Sequence, residues 1–262
     1  MIKLIVTDVD GTLLDNNSRI TELNKQALID CKKAGIDVIL ATGKSIDAID
    51  PLVKLFDLKL PQITLNGAVV VDRDLNILRV VKIKPFLFYS VIKAIKDRGF
   101  NPLIALSDGR ILYEKYDSLL KVFTNVNEPI FKIDKIESEY YAKDCVSISV
   151  AIKEDNPLDS YLRKKYSDIL QIVRSGEYFF DILNIDATKG NSLDFICNDY
   201  GIKKDDVAVF GDSYNDLSMF NGVGCRIAVK NSYPAVLKEA DYITDENYNS
   251  GLGKAIYKYI LK

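Results

Sequence analysis

The sequence predicts an α/β protein built on a doubly wound, mostly parallel sheet, with an α+β unit inserted into it. Three observations predict this. Short apolar runs bounded by turn residues alternate with helix-period segments at both ends of the chain, and the middle is richer in strand pairs. The 262 residues, at roughly 150 per domain, also suit one to two domains.

The first strand is Leu4-Ile5-Val6. Thr21 is placed to cap a helix carrying Leu23, Ala27, Leu28, Cys31 and Ala34 on one face, and Gly35 to end it. A strand from Ile36 to Ala41 then completes a βαβ unit. A second helix starts at Ser45, with Ile46, Ile49, Leu52, Val53 and Phe56 at helical spacing, and Pro51 is expected to kink it or mark its true first turn. Strand Gln62 to Leu65 leads into Asn66-Gly67, a hairpin-turn dipeptide, and runs at Ala68 to Val71 and Ile77 to Ile83 extend the sheet in antiparallel fashion. From about Lys84 the texture changes: one helix, Pro85 to Arg98, precedes strands near Leu103, Ile111, Cys145, Ile172 and Tyr178. The βα rhythm returns after Thr188, with helices from Asn191, near Tyr214 and from Ser232, strands Val207 to Phe210 and Arg226 to Val229, and a closing helix. The expected division is one domain from residues 1–83 and 188–262, and a second, inserted, from 84–187.

Composition prunes the functions such a fold could carry. With 35 basic against 37 acidic residues the net charge is -2, which argues against a nucleic-acid binder driven by counterion release. Four scattered cysteines without Cys-x-x-Cys spacing read as buried thiols in a reducing compartment. No stretch approaches the roughly 18 uncharged residues of a membrane span, so a cytoplasmic protein without membrane contact is expected. The oligomeric state is left open, a monomer being compatible with everything above. The chain has no histidine, which removes Ser-His-Asp and Cys-His nucleophiles and phosphohistidine, and leaves acid, base and nucleophile work mainly to carboxylate, lysine, tyrosine and cysteine.

Carboxylates occur where such sheets bind ligands. Asp8-Val9-Asp10-Gly11-Thr12 follows the first strand directly, so both acids emerge at a strand's C-terminal end. Thr42-Gly43 closes the second strand and offers neutral donors of the kind that hold phosphate oxygens. Lys189-Gly190 opens a helix, bringing a cation and N-terminal amides to one point. Gly211-Asp212-Ser213-Tyr214-Asn215-Asp216 closes a later strand with two more acids. Each segment alone also reads as a turn, a cap or a surface lysine; the four in this order do not.

Together they resemble motifs I to IV of the haloacid dehalogenase superfamily of phosphohydrolases, and Ala41-Thr42-Gly43, Asn66-Gly67-Ala68 and Asp186-Ala187-Thr188-Lys189-Gly190 are similar to its Cof-type branch. The resemblance implies a Rossmann-like core with residues 84–187 as an α/β cap over the site. It implies Asp8 as nucleophile forming an aspartyl-phosphate, and Asp10 as the acid and then the base. A carboxylate nearing a phosphate meets roughly 4 kcal/mol of repulsion per charge pair at about 4 Å in an effective dielectric near 20, so positive charge has to be supplied. The resemblance assigns it to Lys189 and to Mg²⁺ held by Asp8, the Asp10 carbonyl and Asp212, with Asp216 in support. Thr42, Gly43, Lys189 and Asn215 are then the phosphate contacts.

Lys44 stands where this branch commonly has arginine, which touches leaving-group recognition rather than chemistry at phosphorus. Substrate contacts are sought at Lys44, Asn66, Arg174, Ser175 and Arg110. The expected substrates are small phosphorylated metabolites, sugar phosphates before phosphorylated cofactors. A phosphomutase or phosphotransferase on the same intermediate is the nearest alternative, and a catalytically silent phosphometabolite-binding protein the alternative of another class. A dinucleotide enzyme is disfavoured because no Gly-x-Gly-x-x-Gly follows the first strand.

Overall fold

Strand β1 (Leu4–Thr7) is buried along its whole length because helices cover both faces of its sheet. On one side Ile5 packs with Ala27, Leu28 and Cys31 of helix α1 (Glu22–Lys33). On the other, Leu4 and Val6 pack with Leu193, Ile196 and Cys197 of a helix formed far along the chain. The computed structural model showing this describes residues 1–261 other than 117, 122, 124–127, 154 and 175–177. Thr21 caps α1 as expected, its hydroxyl accepting from Asn24 N. Helix α2 (Ile46–Phe56) begins after Ser45 and runs through Pro51 without a break; proline there removes one backbone donor from an exposed position, and the apolar face of Ile46, Ile49, Val53 and Phe56 holds the helix to the core.

β1 lies beside β2 (Asp37–Leu40) on one side and β12 (Val207–Gly211) on the other, followed by β13 (Cys225–Ala228) and β14 (Tyr242–Ile243), all parallel. The chain reverses its direction of winding between β1 and β12, so a crevice opens where those two strands end. The expected antiparallel extension is a separate sheet of β3 (Gln62–Thr64), β4 (Val69–Val71) and β5 (Ile77–Val80), joined to the end of β2 by the bridge Ala41 to Ile63.

Residues 102–184 form a second large sheet, in spatial order β10 (Leu170–Arg174), β11 (Phe179–Asn184), β9 (Cys145–Ala151), β6 (Pro102–Leu106), β7 (Ile111–Tyr113) and β8 (Ile130–Lys132), antiparallel except for β7 beside β8. One face packs Ile104, Ile148 and Ile182 under α3 (Pro85–Lys96), α4 (Glu139–Asp144) and α5 (Pro157–Tyr166). The other carries Ser147, Ser149 and Asp181 towards the end of β1. The chain crosses at 81–83, where Val81 N bonds Ala68 O and Ile83 N bonds Cys145 O. Ile83 packs in the cluster of the second sheet. After β11 come α6 (Lys189–Asp199), α7 (Pro234–Glu239) and α8 (Gly251–Ala255), the last continuing as a π turn over Ile256–Ile260. The segment Tyr214–Phe220, expected as a helix, is a 3₁₀ helix. Among the described residues no helix is long and apolar enough to cross a membrane.

Candidate active site

Asp8 is the first residue beyond β1, and its N–H still bonds Phe210 O of β12 at 3.0 Å, so its carboxylate stands in the crevice between the two strands. Lys189 Nζ reaches it from the start of α6, 2.6 Å from Asp8 Oδ1 and 2.6 Å from Asp216 Oδ1. Lys189 and Asp216 are both 0% exposed. Two glycines permit this. A Cβ on Gly190 would lie 2.2 Å from Ser218 O, so only glycine lets α6 begin against the Tyr214–Phe220 segment. Gly67, at φ +93°, would place a Cβ 2.2 Å from Thr188 O, so it holds the residue before Lys189 equally closely.

Asp216 Oδ2 accepts from both Asp212 N and Ser213 N, each at 2.9 Å. With its other oxygen on Lys189, Asp216 orients the lysine and the loop. Asp212 Oδ1 accepts from Thr12 Oγ1 at 2.7 Å. Ligand oxygens of Asp8, Asp212 and Asp216 lie within 4.8 Å of one another. Burial pushes Asp8 well above the usual carboxylate range; Lys189 pulls it down, and Asp216 and Asp212 push it up again. Burial, and then the Asp216 charge, raise Asp212 as well. Burial works against the Lys189 ammonium, but Asp216 and Asp8 outweigh it and keep the lysine charged. One ammonium thus faces three crowded carboxylates, and an all-oxygen, acid-rich set of this kind suits a hard divalent cation.

Asp10 lies nearer the opening. Its Oδ2 is 3.1 Å from Lys44 Nζ; burial raises its affinity for a proton and Lys44 opposes the rise. Lys44 is buried and is aimed at Asp10. Thr42 Oγ1 accepts from Lys44 N at 3.1 Å, which leaves the hydroxyl proton to donate. Leu65 and Asn66 both take positive φ, 48° and 56°, and this strained turn sets Asn66 between the two large sheets. Asn66 Oδ1 accepts from Asn215 Nδ2 at 2.8 Å, and Asn66 Nδ2 donates to Asp181 Oδ2 at 3.0 Å. Asn215 Oδ1 is buried with no partner among the described residues. Asp8, Asp10, Thr42, Gly43, Lys44, Asn66 and Asn215 all line one cavity.

Some expectations need correction. Arg174 does not line that cavity. Its guanidinium donates to Asp159 Oδ2 at 3.1 Å and to Ile152 O and Lys153 O, tying α5 to the sheet edge. Arg110 is half-exposed and paired with Asp108 at 2.7 Å. Ser175 lies outside the described residues. The first amides of α6 are also engaged locally, Gly190 N with Ser218 Oγ and Asn191 N with Thr188 Oγ1. Lysine, and not the helix end, is what α6 brings to Asp8. Among the cavity residues that the sequence reading does not single out, two are acidic, Glu128 and Asp181. A lone acid in the apolar strand Phe179–Asn184 was a usable signal for Asp181; Glu128, in an Asn-Glu-Pro stretch, had none.

The sequence model of haloacid dehalogenase-like hydrolases matches residues 5–256. The chain is 28% identical to a 5-amino-6-(5-phospho-D-ribitylamino)uracil phosphatase, YwtE of Bacillus subtilis strain 168, over 96% of each chain. It is 26% identical to a phosphoglycolate phosphatase of Methanobrevibacter smithii, over 99% of each. Among solved structures, a phosphatase of the haloalkanoate superfamily from Bacteroides thetaiotaomicron superposes with a TM-score of 0.83 at 26% identity, covering 98% of this chain and 95% of that one. With the family's motifs gathered around Asp8 and its sequence model spanning nearly every residue, the chain belongs to the haloacid dehalogenase-like hydrolases, in their Cof-type phosphatase branch.

Proposed function

We propose that the protein is a Mg²⁺-dependent phosphatase of small phosphorylated metabolites, working through a phosphoryl group carried on Asp8. One observation carries the reading: a buried carboxylate at the end of β1 is held by Lys189, crowded by Asp212 and Asp216, and open to a cavity that also holds Asp10. Asp8 and Asp212 are the side chains that would hold the ion, with the Asp10 carbonyl. Bound there, Mg²⁺ supplies the charge that keeps Asp8 ionised and offsets that of the phosphate.

Asp8 attacks phosphorus, and the P–O bond to the alcohol breaks. Asp10, whose burial favours the protonated acid, gives its proton to the departing oxygen. As a carboxylate it then takes a proton from water, which attacks the same phosphorus, frees phosphate and restores Asp8. Lys189 fixes Asp8 for in-line approach, while Thr42, Gly43 and Asn215 position the phosphoryl oxygens. Residues 1–83 and 188–262 are the catalytic core and 84–187 the cap, whose closure excludes water. Sugar phosphates are the foremost substrate class, in keeping with the polyhydroxylated ester named for the Bacillus relative. Four free thiols fit a reducing cytoplasm.

The test is phosphate release from sugar phosphates, nucleotides and phosphorylated cofactors, with Mg²⁺ and with chelator, for wild type and Asp8→Asn. Metal-dependent turnover that vanishes in the variant is expected. Turnover that survives Asp8→Asn, or a wild type inert on every ester, overturns the reading.

A further inference from the structure

The six-stranded sheet and its loops supply one side of the cavity that Asp8 lines. Ala105, Ile111 and Phe123 form an apolar wall, and Ser147, Ser149, Asp181 and Glu128 supply the polar atoms. Both acids are buried, Asp181 at 7% and Glu128 at 5% exposure. Each is held in place. Asp181 Oδ1 accepts from Ser149 Oγ at 2.6 Å and its Oδ2 from Asn66 Nδ2 at 3.0 Å. Glu128 turns both oxygens to Ser45 N, at 3.3 and 3.2 Å, where α2 begins.

No lysine or arginine from 84–187 lines this cavity among the described residues, and residues 117, 122, 124–127, 154 and 175–177 include neither in the sequence. Lys44 lines it from the core side, but its ammonium lies against Asp10. A leaving group therefore enters a chamber lined by two buried carboxyl groups, two hydroxyls and an apolar wall.

We propose that Glu128 and Asp181 act as a charge filter on the leaving group. The cavity takes uncharged, hydroxyl-bearing alcohols and turns away alcohols that carry a carboxylate or a second phosphate. The inference rests on the phosphatase reading and assigns specificity, not chemistry, to the two residues. Their charges lie at the alcohol end, so they separate substrates by what the phosphate is attached to.

Glycerol 3-phosphate and 3-phosphoglycerate test it, because they differ at one carbon, hydroxymethyl in the first and carboxylate in the second. The kcat/KM ratio of the two is measured with Mg²⁺ for wild type, Glu128→Gln and Asp181→Asn. Wild type is expected to favour glycerol 3-phosphate, and each variant to lower the ratio about tenfold, the effect of removing one charge at close range in a partly desolvated site. A role confined to holding the cap in place would lower both values together and leave the ratio alone. That result in both variants, or a wild type that favours 3-phosphoglycerate, overturns the filter. Calorimetric binding of the same esters to Asp8→Asn, alone and combined with Glu128→Gln, gives the ratio without turnover. An inert wild type with the expected binding ratio removes the hydrolase reading and keeps the filter; equal binding of both esters removes the filter.

Discussion

Replacing Lys189 by methionine isolates what the buried ammonium contributes. Methionine nearly conserves volume, so packing around α6 is little disturbed, and the loss is electrostatic. Lys189 makes two short bonds, to Asp8 Oδ1 and Asp216 Oδ1. Hydrogen bonds to charged groups contribute about 1.5–3 kcal/mol each, and truncating one partner of a buried pair costs about 3–5 kcal/mol because the other charge is left unpaired. Part of that is recovered, since Asp8 already favours its proton and takes one up. The expected loss is about 3–4 kcal/mol in chelator at neutral pH, read as a fall of about 1 M or more in the urea midpoint. Adding Mg²⁺ should stabilise the variant more than wild type, because the ion restores positive charge that wild type already has. Removing the orphaned acid as well, in Lys189→Met/Asp216→Asn, should recover part of the loss, while turnover stays down by about 10²-fold or more. A loss below about 1 kcal/mol in chelator, or a double variant no more stable than the single one, would refute the claim that Lys189 holds these carboxylates together.

Two further outcomes follow from the geometry. Gly67→Ala is expected to lower both melting temperature and turnover, since its Cβ would meet Thr188 O at 2.2 Å at a φ of +93°; Gly201→Ala, also at positive φ but in open space, should lose only about 1 kcal/mol and leave turnover intact. Burial raises Glu128 above its ordinary value against the pull of Ser45 and Lys44, so the folded state holds its proton more tightly than the unfolded chain. That contribution is present below the ordinary glutamate value and is lost as pH rises through the raised one. Glu128→Gln should therefore match wild type in urea melts near pH 4 and exceed it increasingly towards pH 7, and an advantage that is flat or shrinks with pH would contradict the buried charge.

The Asp8 end of the cavity was legible because its residues sit immediately beyond strands whose own sequence announces them. Leu4, Ile5 and Val6 are apolar in succession because helices cover both faces of β1, and the first polar residues after them necessarily stand in the crevice. The same holds for Asp212 after β12 and Thr42 after β2. Glycine beside lysine at 189–190 was also readable, though its reason is close packing on Ser218 rather than amides turned to a ligand. Arg174 misled because its partner, Asp159, lies on another element, and nothing in the local sequence shows that a charged side chain at a strand end already has its carboxylate.

The leaving-group end obeys a different rule. Asp181 is fixed by Ser149 and Asn66, 32 and 115 residues away, and Glu128 by Ser45, 83 residues away. Such contacts exist only once the six-stranded sheet has closed over the strained turn at Leu65 and Asn66, so no window of sequence contains them. In the proposed mechanism, chemistry at phosphorus uses short contiguous motifs because one strand end presents several groups to one atom. Recognition of the alcohol, as proposed, uses single side chains from separate segments, Asp181 from β11 and Glu128 from the stretch before β8, because a chamber needs walls from several directions. Asn66 joins the two, with Asn215 on its oxygen and Asp181 on its nitrogen. A substitution at Asn66 should thus disturb catalysis and selectivity together, whereas Glu128 and Asp181 separate selectivity from catalysis.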